Sequence, residues 1–255
     1  TKMTGLGNDY IYVDCTNGTK IKNIPEVAKT LSERHFGIGA DGLILIDRTE
    51  NKNADFKMRI FNSDGSEAEM CGNGIRCVGK FIHDHKLSNK DKIAIDTLAG
   101  IKKVKLIEDE AGECNEVIVD MGEPIFQDKN IPYHLEETFT KDLDINVEGE
   151  KMRFTVVSMG NPHAVTFVEN LEDLQIEMCG PIIENNPIFP NRTNVEFVEV
   201  IDKNNIKVRV WERGVGETFA CGTGACAAVV AAGLNGYTDE NVTVNLPGGK
   251  LRVEW

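Results

Sequence analysis

Apolar and polar positions follow two different periods along the chain. Across residues 55–62 they alternate, with Phe56, Met58 and Ile60 on one face and Lys57 and Arg59 on the other, which predicts a half-buried strand. Similar short runs predict strands at 10–15, 43–47, 93–97, 101–107, 117–120, 154–158 and 164–168. Strands at 194–201 and 206–211 read as an antiparallel pair about 202–205, and 242–246 with 250–255 as a hairpin turned by Pro247-Gly248-Gly249. Helical spacing marks 25–35, with Pro25 early, and the stripe Ile75, Val78, Phe81, Ile82 and His85. A short helix is predicted over 171–178. The helix predicted over 222–234 is apolar all round, as Ala225, Ala227, Val229, Val230 and Ala231 show. A helix without a polar face must be enclosed, and in a strand-rich region that means enclosed by sheet.

The chain also repeats itself. Cys71-Gly72-Asn73-Gly74 and Cys221-Gly222-Thr223-Gly224 each open a helical segment, 221 − 71 = 150 residues apart, with Glu67 and Glu217 four residues before the cysteines. Gly7-Asn8 and Gly160-Asn161 recur in the same order, 160 − 7 = 153 apart. Two echoes in register imply internal duplication. The expected fold class is α+β, with two pseudo-symmetric halves, each a strand-rich barrel around a central helix. An active site is expected in the cleft between them, because an approximate two-fold brings equivalent residues face to face. The boundaries read as 1–122 for the N-terminal half, 123–149 for an acidic, less periodic connector, and 150–255 for the C-terminal half.

Composition narrows the partners. A formal net charge of −13 argues against nucleic acid or an anionic membrane surface, though not against a zwitterionic substrate. No apolar run is long enough to span a membrane, and Thr1-Lys2-Met3 carries no signal-peptide pattern. The seven cysteines include no C-x-x-C and suit reduced thiols. Cys71 with Cys77, and Cys221 with Cys226, are spaced so that neither pair shares a helix face, so no metal is expected.

Cys71 and Cys221 each stand at a helix start, where exposed N–H groups and the helix dipole favour thiolate and can seat a carboxylate. Two such thiols suggest proton removal from a carbon by one and proton return on the opposite face by the other, with no cofactor. Cys15, Cys77, Cys114, Cys179 and Cys226 read as small buried residues. His163, in Met159-Gly160-Asn161-Pro162-His163, is the basic candidate against the commoner structural histidine. Glu212 and Arg213 lead into a glycine-rich loop and otherwise read as an exposed turn pair. Asn8, Asn62, Asn161 and Asn194 sit in or beside turns, where asparagine is ordinary, yet as a set they suit an amino acid's charged ends. Gly5-Leu6-Gly7 and Gly37-Ile38-Gly39 complete no dinucleotide or P-loop pattern.

These stretches resemble the diaminopimelate epimerase family across the whole chain. The resemblance runs through Gly5 to Asp9, His35 to Gly42, Phe61 to Glu67, Cys71 to Cys77, Met159 to His163, Asn191 to Asn194, Glu212 to Glu217, Ala220 to Cys226 and Leu246 to Gly249. It implies interconversion of LL- and meso-2,6-diaminopimelate without PLP, in lysine and peptidoglycan precursor synthesis. Cys71 and Cys221 would be the base and acid pair, His163 would tune Cys71, and Glu212 would tune Cys221. Backbone N–H groups at Gly72-Asn73 and Gly222-Thr223 would hold the α-carboxylate. Asn8, Asn62, Asn161, Asn194, Glu212 and Arg213 would contribute to the rest of the substrate site. A cytoplasmic homodimer is implied too, with a few residues before Thr1 and a further strand or two after Trp255.

Proline and hydroxyproline racemases share the paired cysteines, but typically carry His where this chain has Asn73 and Pro where it has Ala220. Arg213 favours a substrate with a second carboxylate. The phenazine-biosynthesis isomerase group lacks the cysteine pair. In another class, Cys71 and Cys221 could be a redox pair in a non-catalytic binding protein.

Overall fold

A computed structural model describes residues 1–132 and 140–255. The chain separates into two compact units, Thr1–Asp120 and Met121–Trp255. The first contains β1 (Lys2–Gly5), β2 (Asn8–Asp14), α1 (Ile24–Ser32), β3 (Gly42–Asp47), β4 (Phe56–Asn62), β5 (Glu67–Ala68), α2 (Gly72–Asp84), β6 (Lys92–Thr97), β7 (Gly100–Glu108) and β8 (Cys114–Asp120). Its sheet runs β1-β2-β3-β4-β6-β7-β8, with β5 added to β4. Pairs β2/β3 and β4/β6 are parallel, and the others are antiparallel.

The centre of this sheet is covered on both faces, which is why β3 reads Gly-Leu-Ile-Leu-Ile without alternation. Tyr10, Tyr12, Ile44, Ile46, Met58 and Ile60 pack with Ile75, Val78, Phe81 and Ile82 of α2. Ile11, Leu43, Leu45 and Phe61 turn the other way, onto Ala28 of α1 with Val27 and Leu31 at its edge. The sheet curls around α2, which touches β1, β2, β7 and β8.

The second unit contains β9 (Thr140–Val147), β10 (Glu150–Ser158), β11 (Pro162–Phe167), α3 (Ile176–Glu184), β12 (Asn194–Asp202), β13 (Asn205–Glu212), β14 (Gly216–Thr218), α4 (Gly222–Leu234), β15 (Asn241–Leu246) and β16 (Gly249–Glu254). Its sheet runs β16-β15-β13-β12-β11-β10-β9, with β14 on β13. Pairings β10 to β16 repeat those of β1 to β7 in order, including the two parallel steps, now β11/β12 and β13/β15. β9 and β8 are the strands without a counterpart. Each sheet is an open half-barrel rather than a closed one. The all-apolar α4 is enclosed by β10, β11, β12, β13, β15 and β16.

Residues 123–149, read as a connector, include β9, which pairs with β10 as an edge strand; residues 133–139 of that stretch lie outside the described residues. The helix expected over 171–178 instead begins at Ile176. Ahead of it, Asn170 Oδ1 accepts from the Glu172 N–H, and Arg209 Nη1 donates to the carbonyls of Leu171 and Leu174. Those carbonyls are thereby satisfied outside a helix, so the chain stays in a turn there.

Candidate active site

In the first unit, Cys71 is the N-cap of α2 with extended backbone, and its sulfur accepts the Gly74 N–H at 3.3 Å. The thiol is half-buried and 3.2 Å from Asn8 Oδ1. Asn8 is delivered by the tight β1–β2 turn, where Leu6 and Gly7 both take the positive φ such a turn demands. Its Nδ2 donates to Asp41 Oδ2 at 2.7 Å, and Asp41 and Asp9 both hold Arg34 at 2.8 Å. Tyr10 lies beside Cys71 with its phenol pushed above the ordinary value, first by burial and then by that thiol. Asn73 is buried, with Oδ1 accepting from Arg76 at 2.6 Å. Asn62, at the end of β4, donates to Ser66 Oγ at 3.0 Å across its turn. Gly72 provides the first residue of the helix.

In the second unit, Cys221 caps α4 in the same way and accepts the Gly224 N–H at 3.4 Å. Gly222 and Thr223 are the first helical residues, and Thr223 Oγ1 is 3.5 Å from the Cys221 sulfur. Gly160, at φ 91°, makes the turn that delivers Asn161. Asn161 Nδ2 faces Thr223 Oγ1 at 3.4 Å, and its Oδ1 is 3.1 Å from His163 Nε2. His163 Nδ1 meets Glu196 Oε1 at 2.7 Å, with both side chains fully buried. Asn194 donates to the Pro162 carbonyl at 2.9 Å and accepts the Arg213 N–H at 3.0 Å.

Glu212 ends β13 and accepts from Thr218 Oγ1 at 2.6 Å. The loop after it is anchored by Glu184 at the end of α3. Glu184 accepts from the Gly214 N–H at 2.8 Å, Trp211 Nε1 at 2.8 Å and Arg192 at 3.0 Å. Arg213 Nη1 reaches the Asn191 carbonyl at 3.1 Å.

At Cys221 the pull of the helix start toward thiolate is opposed by burial and by two carboxyl groups. Its pKa is pushed well above the ordinary thiol value, first by burial and then by Glu212 and Glu196, against Thr223 and the Gly224 N–H. A helix N-terminus is worth about 0.3–2 kcal/mol. Full burial can shift a group by roughly 3–5 pKa units at about 1.4 kcal/mol each, so burial wins. Glu212 and Glu196 are likewise raised, chiefly by burial. Burial and the two glutamates thus push the Cys221 thiol up, the direction that favours its protonated form.

Tyr10, Glu184 and Glu196 escaped the sequence reading. Glu196 left one signal: in Val195-Glu196-Phe197-Val198 both faces of the strand are buried, so a glutamate there needs a partner. Among the described residues, no cluster of three or more His, Cys, Asp or Glu is placed to hold a metal ion. No described helix is long and apolar enough to cross a membrane.

The profile of the family described as diaminopimelate epimerase matches residues 1–127 and 155–255. The chain belongs to the diaminopimelate epimerase family. It is 55% identical over 255 residues to the diaminopimelate epimerase of Acetivibrio thermocellus, covering 100% of this chain and 90% of that one. It is 56% identical to that of Methanococcus maripaludis strain S2, covering 100% and 91%. A solved structure of a probable proline racemase from Agrobacterium radiobacter K84 matches with TM-score 0.70 at 13% identity, over 98% of this chain and 82% of that one. At that identity the likeness extends the family's fold to a wider group and no further.

Proposed function

We propose that this protein is an isomerase that interconverts LL- and meso-2,6-diaminopimelate by two-base proton transfer, in the synthesis of lysine and peptidoglycan precursors. The observation that carries the reading is the repeated cysteine N-cap, Cys71 on α2 and Cys221 on α4, in a chain 55% identical to a named diaminopimelate epimerase. One sulfur takes the Cα proton as thiolate, and the other gives a proton to the opposite face as thiol. The roles exchange with the direction of reaction, and no cofactor takes part.

Substrate binding falls to groups that the same turns present. The N–H groups of Gly72-Asn73 and Gly222-Thr223 point out of helix starts and suit the α-carboxylate. Asn8, Asn62, Asn161, Asn194, Glu212 and Arg213 take the remaining polar groups, with Arg213 for the distal carboxylate. Glu212 sets the charge state of Cys221, and His163 serves Cys71. The protein works in the cytoplasm as a homodimer.

The test is incubation with LL-diaminopimelate in deuterium oxide without added pyridoxal phosphate. Deuterium at one Cα together with appearance of the meso isomer is expected. Exchange with L-proline in its place would move the reading to the proline racemases, and exchange with neither would remove it.

A further inference from the structure

The second unit holds a buried ionisable pair whose histidine is the one proposed to serve Cys71 and whose carboxyl group has no role in the two-thiol reaction as proposed. His163 on β11 and Glu196 on β12 are both 0% exposed. Both imidazole nitrogens meet oxygen acceptors: Nδ1 faces Glu196 Oε1 at 2.7 Å, and Nε2 faces Asn161 Oδ1 at 3.1 Å. A neutral imidazole has one N–H and one lone pair, so it satisfies only one of these contacts. The arrangement is fully satisfied when the pair holds two protons, one on Nε2 and one between Nδ1 and Glu196.

The surroundings favour the same count. With only one proton, the pair would carry a net negative charge out of water. Glu196 Oε2 has no hydrogen-bond partner among the described residues, which makes a bare carboxylate costlier still. Among the described residues, Glu212 of β13 acts on both members of the pair, and Cys221 at the start of α4 feels Glu196; neither brings positive charge.

The first unit shows that the scaffold does not require the carboxylate. By strand register, Tyr10 stands where the second unit has His163, and Ile44 where it has Glu196. A Cβ on Gly74 would meet Ile44 Cδ1 at 2.8 Å, and one on Gly224 would meet Glu196 Oε1 at 2.7 Å. Apolar carbon fills that place in one half, and a carboxylate in the other.

We propose that Glu196 is a positioning residue: with His163 it forms a two-proton pair that keeps Nε2–H on Asn161 and so aims the Thr223 hydroxyl at the Cys221 sulfur. When Asn161 Oδ1 accepts from His163, its Nδ2 faces Thr223 Oγ1 at 3.4 Å, leaving the Thr223 proton free for the sulfur 3.5 Å away. That donor stabilises the thiolate left when Cys221 has given up its proton. Loss of the second proton from the pair turns the Asn161 amide over and draws the Thr223 hydroxyl toward the amide oxygen. The proposal rests on Cys221 being an acid/base residue of the reaction.

The test begins with ¹⁵N NMR of the imidazole nitrogens in the unaltered full chain, with His163 assigned by its loss in His163→Gln. Nε2 is expected to carry a proton at neutral pH, donated to Asn161 Oδ1. In Glu196→Gln the amide N–H can donate to Nδ1 and keep Nε2–H on Asn161, so kcat is expected to stay within about threefold. Glu196→Leu leaves Nδ1 without a partner and the ring unaimed, and is expected to lower kcat about tenfold or more with KM within about twofold. On a Thr223→Val background the same change should cost little more, because the route it acts through is already cut. A His163 Nε2 without a proton at neutral pH overturns the proposal. So does a Glu196→Leu protein with unchanged kcat, or an equal loss from that change on the Thr223→Val background. Absence of deuterium exchange with the two-proton spectrum intact counts against the reaction rather than against the pair.

Discussion

The two helix starts are built alike and furnished differently. Each has a cysteine N-cap, a second glycine packed under a neighbouring strand and, on the strand pair leading in, an Arg–Glu bridge at 2.7 Å: Arg59–Glu67 in one half and Arg209–Glu217 in the other. The residues around the sulfur have diverged. Tyr10, Ile44 and Asn62 in the first half correspond to His163, Glu196 and Glu212 in the second. What the halves share holds a helix terminus in place, and what they do not share sets charge. A doubled scaffold thus presents two thiols in similar backbone settings with different neighbours.

The most severe way to break this comparison is to remove one sulfur at a time. Cys71→Ala and Cys221→Ala should each lower kcat for inversion of LL-diaminopimelate by at least about 10⁴-fold, measured by formation of the meso isomer. Substantial activity in either variant would mean that the two halves are not partners in one proton transfer.

Exchanging the fields sharpens it. Glu212→Gln gives the second half an amide where the first has Asn62. Removing that charge lowers the Cys221 pKa, so alkylation of Cys221 by iodoacetamide near neutral pH should quicken, while kcat falls. Mass spectrometry of the modified peptides reads this directly, and slower alkylation would show that Glu212 deprotonates the thiol instead. Stability should move the other way from activity. A carboxyl raised by burial binds its proton more tightly folded than unfolded. Its favourable share is complete below the unfolded value and is lost as pH rises through the folded one. Glu212→Gln should therefore raise Tm at neutral pH, with the gain shrinking as pH falls toward about 4.3, the unfolded glutamate value.

Packing under the second glycine distinguishes the halves by stability alone. Gly74→Ala presses on Ile44 Cδ1, the far end of a flexible apolar chain. Gly224→Ala presses on Glu196 Oε1, an atom pinned by His163. Chemical denaturation should show about 1 kcal/mol lost in the first case and about 3 kcal/mol in the second. Equal losses would mean that Glu196 yields as easily as Ile44.

Much of this architecture was legible from the residues. The all-apolar run 222–234 coincides with α4, and its need for enclosure is met by the sheet. The repeated Cys-Gly-x-Gly located both N-caps, because backbone geometry at a helix start constrains sequence strongly. Short strands such as β5 and β14 left no periodic trace, since two or three residues cannot establish a period. The start of α3 was misplaced because Arg209, far along the chain, captures the carbonyls of Leu171 and Leu174. The upward push on the Cys221 thiol was unreadable for a similar reason: Glu196 and Glu212 reach it from two other strands, and local motifs carry no record of burial.

The mildest contrast lies in the shared bridges. Arg59 and Arg209 each hold a glutamate eight residues on, through two parallel hydrogen bonds. Arg59 side-chain exposure is 36% against 24% for Arg209, and Arg209 also donates to Leu171 and Leu174. A partly exposed pair is worth about 0–1 kcal/mol, so Arg59→Ala should cost little beyond that. Arg209→Ala takes a donor from the Leu171 and Leu174 carbonyls as well as from a carboxylate and should cost about 2 kcal/mol, read by denaturation at fixed salt. Raising the salt should weaken the Arg59 contribution more, because screening acts on exposed charge and leaves the carbonyl contacts in place. If both variants lose the same amount and respond alike to salt, the second bridge is a copy of the first, without the added task of holding the turn ahead of α3.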